Sequence, residues 1–349
     1  MPFLHNTWCV AALSKEVADQ PFARTLLDRP VVFFRKADGS VAALEDRCPH
    51  RFVPLSRGRV CGDQIECGYH GLRFDSAGAC TANPHGDKAI PRNARVTAFP
   101  VAERYGFIWI WMGEAERADP ARIPAYPFLD APGEYTAVYG YLPVKANYLL
   151  VLDNLLDLSH VEFLHPLLSQ AEGVDAHRTE FRVEGDVVIA NRWKPNSLIH
   201  GLAKFLWTSP SPRGDARANM RWSAPATLNF DLGVTEVGHA PQDGVCIPNA
   251  HIMTPETELT SHYFWAVARN RSIDDAELDS RMFATVNRIF STEDVPMIEA
   301  QQRAMGDTAD LLSLKPIMLE PDVPAMRARR ILAQKIQDEQ EAARGLRSA

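Results

Sequence analysis

The chain has 349 residues, 46% of them hydrophobic and 23% charged, with 37 Lys and Arg against 44 Asp and Glu for a net charge of −7. The length predicts two domains and the composition an ordinary globular protein. The acidic balance argues against the clustered basic face of a nucleic-acid binder and against a polybasic membrane dock. No stretch approaches the roughly 18 apolar residues of a spanning helix. The N-terminus shows no basic head followed by an apolar core, so the expected compartment is the cytoplasm.

Residues 1–115 predict a small β domain. "PVVFFRKADGSVAALED" reads as strand, turn at Asp38-Gly39, strand, and "RVTAFPVAERYGFIWIWMG" as a second hairpin turning near Arg104. Between them lie Cys48-Pro49-His50 and, sixteen residues later, Cys67 and His70 with two residues between them. A Cys2His2 zinc clip, an iron–sulfur cluster and four unrelated residues are the competing readings. The single residue inside the first pair is tight for a zinc hairpin. Neighbouring ligands of unlike type suit two irons, with the Cys of each loop on one and the His of each loop on the other, the Rieske [2Fe–2S] arrangement. Cys9, Cys61, Cys80 and Cys246 have no partner motif. They are expected to be plain thiols rather than disulfides.

Residues 116–134 are polar and Pro-rich and read as a linker. Residues 135–349 predict an α+β domain, an antiparallel sheet covered by helices. "NYLLVLDNLLDLSHVEF" has helical periodicity, strand-like segments follow near Thr179–Arg192, Ala226–Val234 and His251–Ala268, and amphipathic helices fill the chain from Ser272 onward. The first helical segment carries Asp153, Asn154, Asp157, His160 and His165 among apolar residues. Asp157 and His160, three apart, share a helix face. His160 and His165, five apart, splay on a regular helix. Pro166 disfavours helical geometry at His165, so the helix should distort or end there and let the imidazoles converge. Two His and one carboxylate with open positions form the facial triad of non-haem Fe(II) oxygenases, and "FSTEDVPMIEAQQR" offers Glu293, Asp294 and Glu299 as the carboxylate.

These segments, with "NTWCVAAL", "CPHR", "CGYHG", "YGFIWIW" and "TPETE", resemble Rieske non-haem iron oxygenases over nearly the full chain. Within them the sequence is most similar to aromatic O-demethylases of the vanillate O-demethylase and dicamba monooxygenase type. The resemblance implies a helix-grip catalytic fold. It implies a [2Fe–2S] cluster on Cys48, His50, Cys67 and His70, and Fe(II) on His160, His165 and Asp294, with Asp294 preferred to Glu293. It places Asn154 beside the iron and makes Asp157 a bridge between a cluster His and an iron His of neighbouring chains in a homotrimer. It implies O-demethylation of a methoxylated aromatic acid with O2, giving a phenol and formaldehyde. The alternatives within the family are attack on an aryl sulfonate methyl group or N-demethylation; outside it, a Rieske electron carrier or a zinc-stabilised binding module. NAD(P)H would act through a separate flavin and iron–sulfur reductase or a ferredoxin, since the chain has no G-x-G-x-x-G. Asn229 and His251 are expected to hold the substrate carboxylate, as an Asn and a His in these segments do in dicamba monooxygenase. That enzyme's stacking Trp has no counterpart here; Thr285 lies in its region. Trp193, His200, Trp207, Trp222, His262 and Trp265 are further pocket candidates.

Overall fold

The computed structural model describes residues 3–165, 168 and 178–348. Two compact units make up the fold, residues 5–123 with 254–257, and residues 124–253 with 258 onward and the first few residues.

The first unit is built from short strands: β1 (Trp8–Leu13), β2 (Phe22–Leu26), β3 (Arg29–Arg35), β4 (Val41–Glu45), β5 (Arg59–Cys61), β6 (Gln64–Glu66), β7 (Arg73–Asp75), β8 (Cys80–Ala82), β9 (Ala98–Phe99), β10 (Val101–Arg104) and β11 (Phe107–Trp111). They form three sheets, ordered β1-β11-β10, β2-β3-β4-β9 and β5-β6-β7-β8. The β10–β11 hairpin turns at Tyr105-Gly106, where φ is +60° and +75°. Two positive φ values in a two-residue loop twist in the same sense as the strands they join. All five residues of β11 are buried, so its unbroken apolar run fits a strand covered on both faces. Phe34, Leu44, Leu55, Ile65 and Phe74 pack in one cluster with Cys48 and Cys67. That packing anchors two of the four residues singled out above.

The second unit contains β12 (Thr136–Val144), α1 (Tyr148–Leu156), α2 (Val161–Leu164), β13 (Arg178–Glu184), β14 (Val187–Leu198), β15 (Arg213–Ser223), β16 (Thr227–Thr235), β17 (Val245–Pro255), β18 (Ser261–Arg269), α3 (Ala276–Ile289), α4 (Val295–Met305) and α5 (Val323–Ser348). The sheet runs β12-β18-β17-β16-β15-β14-β13. Helix α1 packs on β18 and α5, and α5 also packs on β14. The strand expected near Thr179–Arg192 is two strands, reversing at Gly185 with φ +58°. Strands β12 and β15 have no clear apolar alternation. Gly140 interrupts β12 because a Cβ there would lie 2.1 Å from the Trp265 ring. Among the described residues no helix is long and apolar enough to cross a membrane.

Candidate functional site

In the first unit, the loops after β4 and β6 close with one shared backbone pattern. Cys48 N–H donates to Val53 O at 2.9 Å and Phe52 N–H to Cys48 O at 2.9 Å; Cys67 N–H donates to Leu72 O at 2.8 Å and Gly71 N–H to Cys67 O at 2.9 Å. The fourth residue after each Cys is left-handed, φ +61° at Phe52 and +70° at Gly71. Glycine adopts that conformation freely, whereas Phe52 is strained there, a condition that clusters at functional loops. The thiols lie inside, at 1% and 2% exposure. His50 is exposed, His70 is half-buried, and their ring centroids are 4.5 Å apart. Burial pushes the Cys48 thiol up to about 11, so a bound cation is what would hold it as thiolate. A single zinc would draw its four ligand atoms to about 3–4 Å from one another. Among the described residues, the one group of three such ligands within 4.8 Å of each other lies elsewhere. A layer of sulfur beneath a layer of imidazole suits two metals bridged in one cluster.

That group is His160, His165 and Asp294, in the second unit. Helix α1 stops at Leu156, and Asp157 Oδ1 accepts the Ser159 N–H at 2.7 Å, capping a 3-10 turn over Leu158–His160. Helix α2 lasts one turn, and His165 leaves it with φ −113° and ψ 88°, just before the proline. The helix thus ends at His165, as expected of a residue that precedes a proline, and the His165 ring lies against that of His160. Asp294 ends a π-helical turn, Phe290–Asp294, between α3 and α4.

His160 Nε2 is 3.2 Å from His165 Nε2 and 3.4 Å from Asp294 Oδ1, and His165 Nε2 is 3.2 Å from the same oxygen. Two ligand atoms about 2.1 Å from a metal and at right angles are about 3 Å apart, so the triangle has the size of one octahedral face. The protons are placed accordingly. His160 Nδ1 meets the carbonyl oxygen of Asp157, which can only accept. His165 Nδ1 lies 2.8 Å from Glu293 Oε2. Both Nδ1 atoms therefore carry hydrogen and both Nε2 lone pairs face inward, an arrangement that calls for a cation. Burial works to raise the Asp294 pKa, but the neighbouring His160 and His165 outweigh it and hold the carboxyl below its usual range. Burial works to lower the His165 pKa, but Asp294 and Glu293 outweigh it and hold it above the ordinary value. Asn154 Nδ2 donates to Asp294 Oδ1 at 3.1 Å. Asp157 reaches His160 through its carbonyl, while its carboxylate serves the Ser159 cap.

The triangle opens onto a cavity of about 230 Å³ walled by Arg192, Lys194, Met220, Phe230, Leu232, Asn249 and His251 of β14 to β17. His251 is 3% exposed, and its Nδ1 lies 2.8 Å from the Tyr263 hydroxyl. Burial pushes its pKa down to about 4, so the imidazole is neutral, and burial holds Tyr263 far above its ordinary value. Asn229 does not line the cavity, contrary to expectation. Alternation along β16 turns Phe230, Leu232 and Val234 inward and Asn229 to the opposite face, where its amide donates to Ala125 O at 3.4 Å. Asn249 lines the cavity instead, two residues before His251 and hence on its face. The period-two rule applied backward from His251 would have found it. Of the Trp and His pocket candidates, His200 alone contributes to the wall; Trp222 and Trp265 are fully buried core.

Two family models match the chain, the Rieske [2Fe-2S] domain over residues 7–100 and the vanillate O-demethylase oxygenase C-terminal domain over residues 144–338. The oxygenase component of dicamba O-demethylase from Stenotrophomonas maltophilia is 39% identical over 95% of this chain and 97% of its own. The oxygenase component of chloroacetanilide N-alkylformylase from Rhizorhabdus wittichii is 39% identical over 97% of each. The crystal structure of dicamba monooxygenase bound to dicamba superposes with a TM-score of 0.91 at 37% identity, covering 98% of this chain and all of that one.

Proposed function

Because the chain belongs to the Rieske-type oxygenase components that carry the vanillate O-demethylase oxygenase C-terminal domain, we propose that it demethylates a methoxylated aromatic acid. Vanillate is the first substrate to try, and the products are a phenol and formaldehyde. As an oxygenase component it works with a [2Fe–2S] cluster, a mononuclear iron and a separate reductase fed by NAD(P)H. When bound, the cluster supplies single electrons and the iron supplies O2 activation for attack on a C–H bond.

We assign Cys48, His50, Cys67 and His70 to the cluster, and His160, His165 and Asp294 to the iron. The observation that carries the reading is the His160–His165–Asp294 triangle facing a largely apolar cavity with His251 in its wall. Asn154 steadies the Asp294 oxygen. Met220, Phe230 and Leu232 exclude water and accept an aromatic ring. With the Tyr263 hydroxyl donating to Nδ1, neutral His251 offers its Nε2–H to the substrate carboxylate, and Asn249 offers an amide beside it. Arg192 and Lys194, also in the wall, favour an acid over a neutral ring. His251→Ala is expected to raise KM about 10- to 100-fold, the worth of one hydrogen bond to a charged group, with a smaller change in kcat. Steady-state kinetics with an unchanged KM would remove His251 from substrate binding.

A second reading, N-dealkylation of a neutral anilide, is favoured by the likeness to the chloroacetanilide N-alkylformylase oxygenase component and by the largely apolar wall of the cavity. One assay separates the two: purified protein, a surrogate reductase, NADH, O2 and either vanillate or a chloroacetanilide. Stoichiometric formaldehyde and protocatechuate from vanillate support the first reading. Turnover of the anilide alone supports the second. No oxygen uptake with either, from protein holding three irons per chain, would sink both. We further propose a homotrimer in which the cluster of one chain serves the iron site of the next through Asp157, a head-to-tail contact that closes as a ring.

A further inference from the structure

Glu293 and Asp294 straddle a single imidazole. Asp294 Oδ1 lies 3.2 Å from His165 Nε2, and Glu293 Oε2 lies 2.8 Å from His165 Nδ1. Consecutive side chains on a regular α-helix diverge by about 100° and do not reach one ring from both sides. Both residues lie in the π-helical turn over Phe290–Asp294, which is wider than an α-helical one. Arg288 stands two residues before the turn and five ahead of Glu293, and its Nη1 donates to Glu293 Oε1 at 2.7 Å. The Glu293 side chain is only 15% exposed. Its two oxygens are thus divided between a histidine and an arginine.

We propose that Glu293, anchored by Arg288, is the positioning residue that makes His165 a metal ligand. The inference rests on the iron site assigned above. By accepting the Nδ1–H, Glu293 fixes the tautomer in which the Nε2 lone pair faces Asp294 and His160. Its negative charge, acting through the ring, strengthens Nε2 as a donor, as carboxylates behind metal-bound histidines do. His160 is served differently, because its Nδ1 meets the neutral carbonyl of Asp157. The two imidazoles are therefore unequal, and His165 is the stronger donor. The wide turn serves that purpose, placing the ligand and the residue that orients the neighbouring ligand side by side in sequence.

The test uses full-length protein with its cluster intact and its mononuclear site emptied. Fe(II) affinity is measured by chelator competition, and Co(II) is then bound as a spectroscopic probe. Glu293→Ala should weaken Fe(II) binding about 10- to 100-fold. Glu293→Gln, which keeps an accepting oxygen and loses the charge, should weaken it less, and Arg288→Gln should act in the same direction. The visible spectrum of bound Co(II) should shift in the Glu293 variants while cluster absorbance stays constant. A merely structural role would lower thermal stability without moving the Co(II) bands. If Glu293→Ala does not fold, Glu293→Gln and Arg288→Gln carry the same test. Wild-type affinity and wild-type Co(II) bands in these variants would overturn the proposal. His165→Ala is the reference. Wild type binding Fe(II) no better than His165→Ala would overturn the iron assignment itself, and this inference with it.

Discussion

Asp157→Asn is expected to leave the cluster and the mononuclear iron fully loaded while abolishing nearly all O2-dependent turnover. Asn caps a helical turn as well as Asp does, so the Ser159 N–H keeps its acceptor and the turn carrying His160 keeps its shape. The carbonyl that meets His160 Nδ1 belongs to the backbone and is unchanged by the substitution. What disappears is the carboxylate charge beside the ligand. Iron analysis, cluster absorbance and oxygen uptake together read the outcome, and wild-type turnover would end the bridging role. Co-expression adds a test of the ring. A chain lacking the cluster through Cys48→Ser and a chain carrying Asp157→Asn are each inactive in this scheme. In mixed trimers the cluster of the second should serve the intact iron site of the first, and activity should reappear. No recovery from mixed oligomers would remove the transfer between chains.

Arg329→Met should cost about 3–5 kcal/mol, the usual result of leaving one charge of a buried pair alone. Arg329 on α5 holds Asp153 on α1 through three contacts of 2.6 to 3.0 Å, and its side chain is 4% exposed. The thermal midpoint of the second unit should fall by roughly 10 °C. Burial pushes the Asp153 carboxyl above its usual range, and Arg329 pulls it back only in part. Its charge is therefore a cost to the fold above its raised pKa, and that cost is relieved as the carboxyl protonates below it. Removing Arg329 enlarges the cost, so the deficit of the variant should be widest at neutral pH and narrow on acidification. Adding Asp153→Leu should recover most of the loss, because an apolar pair avoids the desolvation of both ions. A deficit independent of pH and unrelieved in the double variant would show that the pair acts through packing alone. Asp153 precedes Asn154, so the pair also seats the helix that delivers Asn154 to Asp294.

The two Cys and His loops were legible in the sequence because their candidate ligands are local. Each Cys and His sits within one turn, and the chain between the loops is a short hairpin, so spacing alone narrowed the chemistry. The end of the helix at His165 was legible for the same reason: the proline acts on the residue before it. Resemblance to a known family supplied the iron, the separate reductase and the preference for Asp294. Strands β12 and β15 escaped because a glycine against Trp265 in one, and charged residues in the other, blur the alternation that marks a strand. The sequence by itself determined which Cys, His and carboxylate residues are candidates for metal chemistry and that the chain divides in two. Only the tertiary structure decided that Glu293 and Asp294 grip one imidazole from both sides, that Asn229 faces away from the cavity, and that Asn249 faces into it. Those outcomes depend on a π-helical turn and on strand register, and both are set by packing between segments more than a hundred residues apart in the cases of His165 with Glu293 and Asn229 with Ala125. A period of two or 3.6 residues names the face a side chain shares with its neighbours; which face meets the cavity is settled by what the other segments bury.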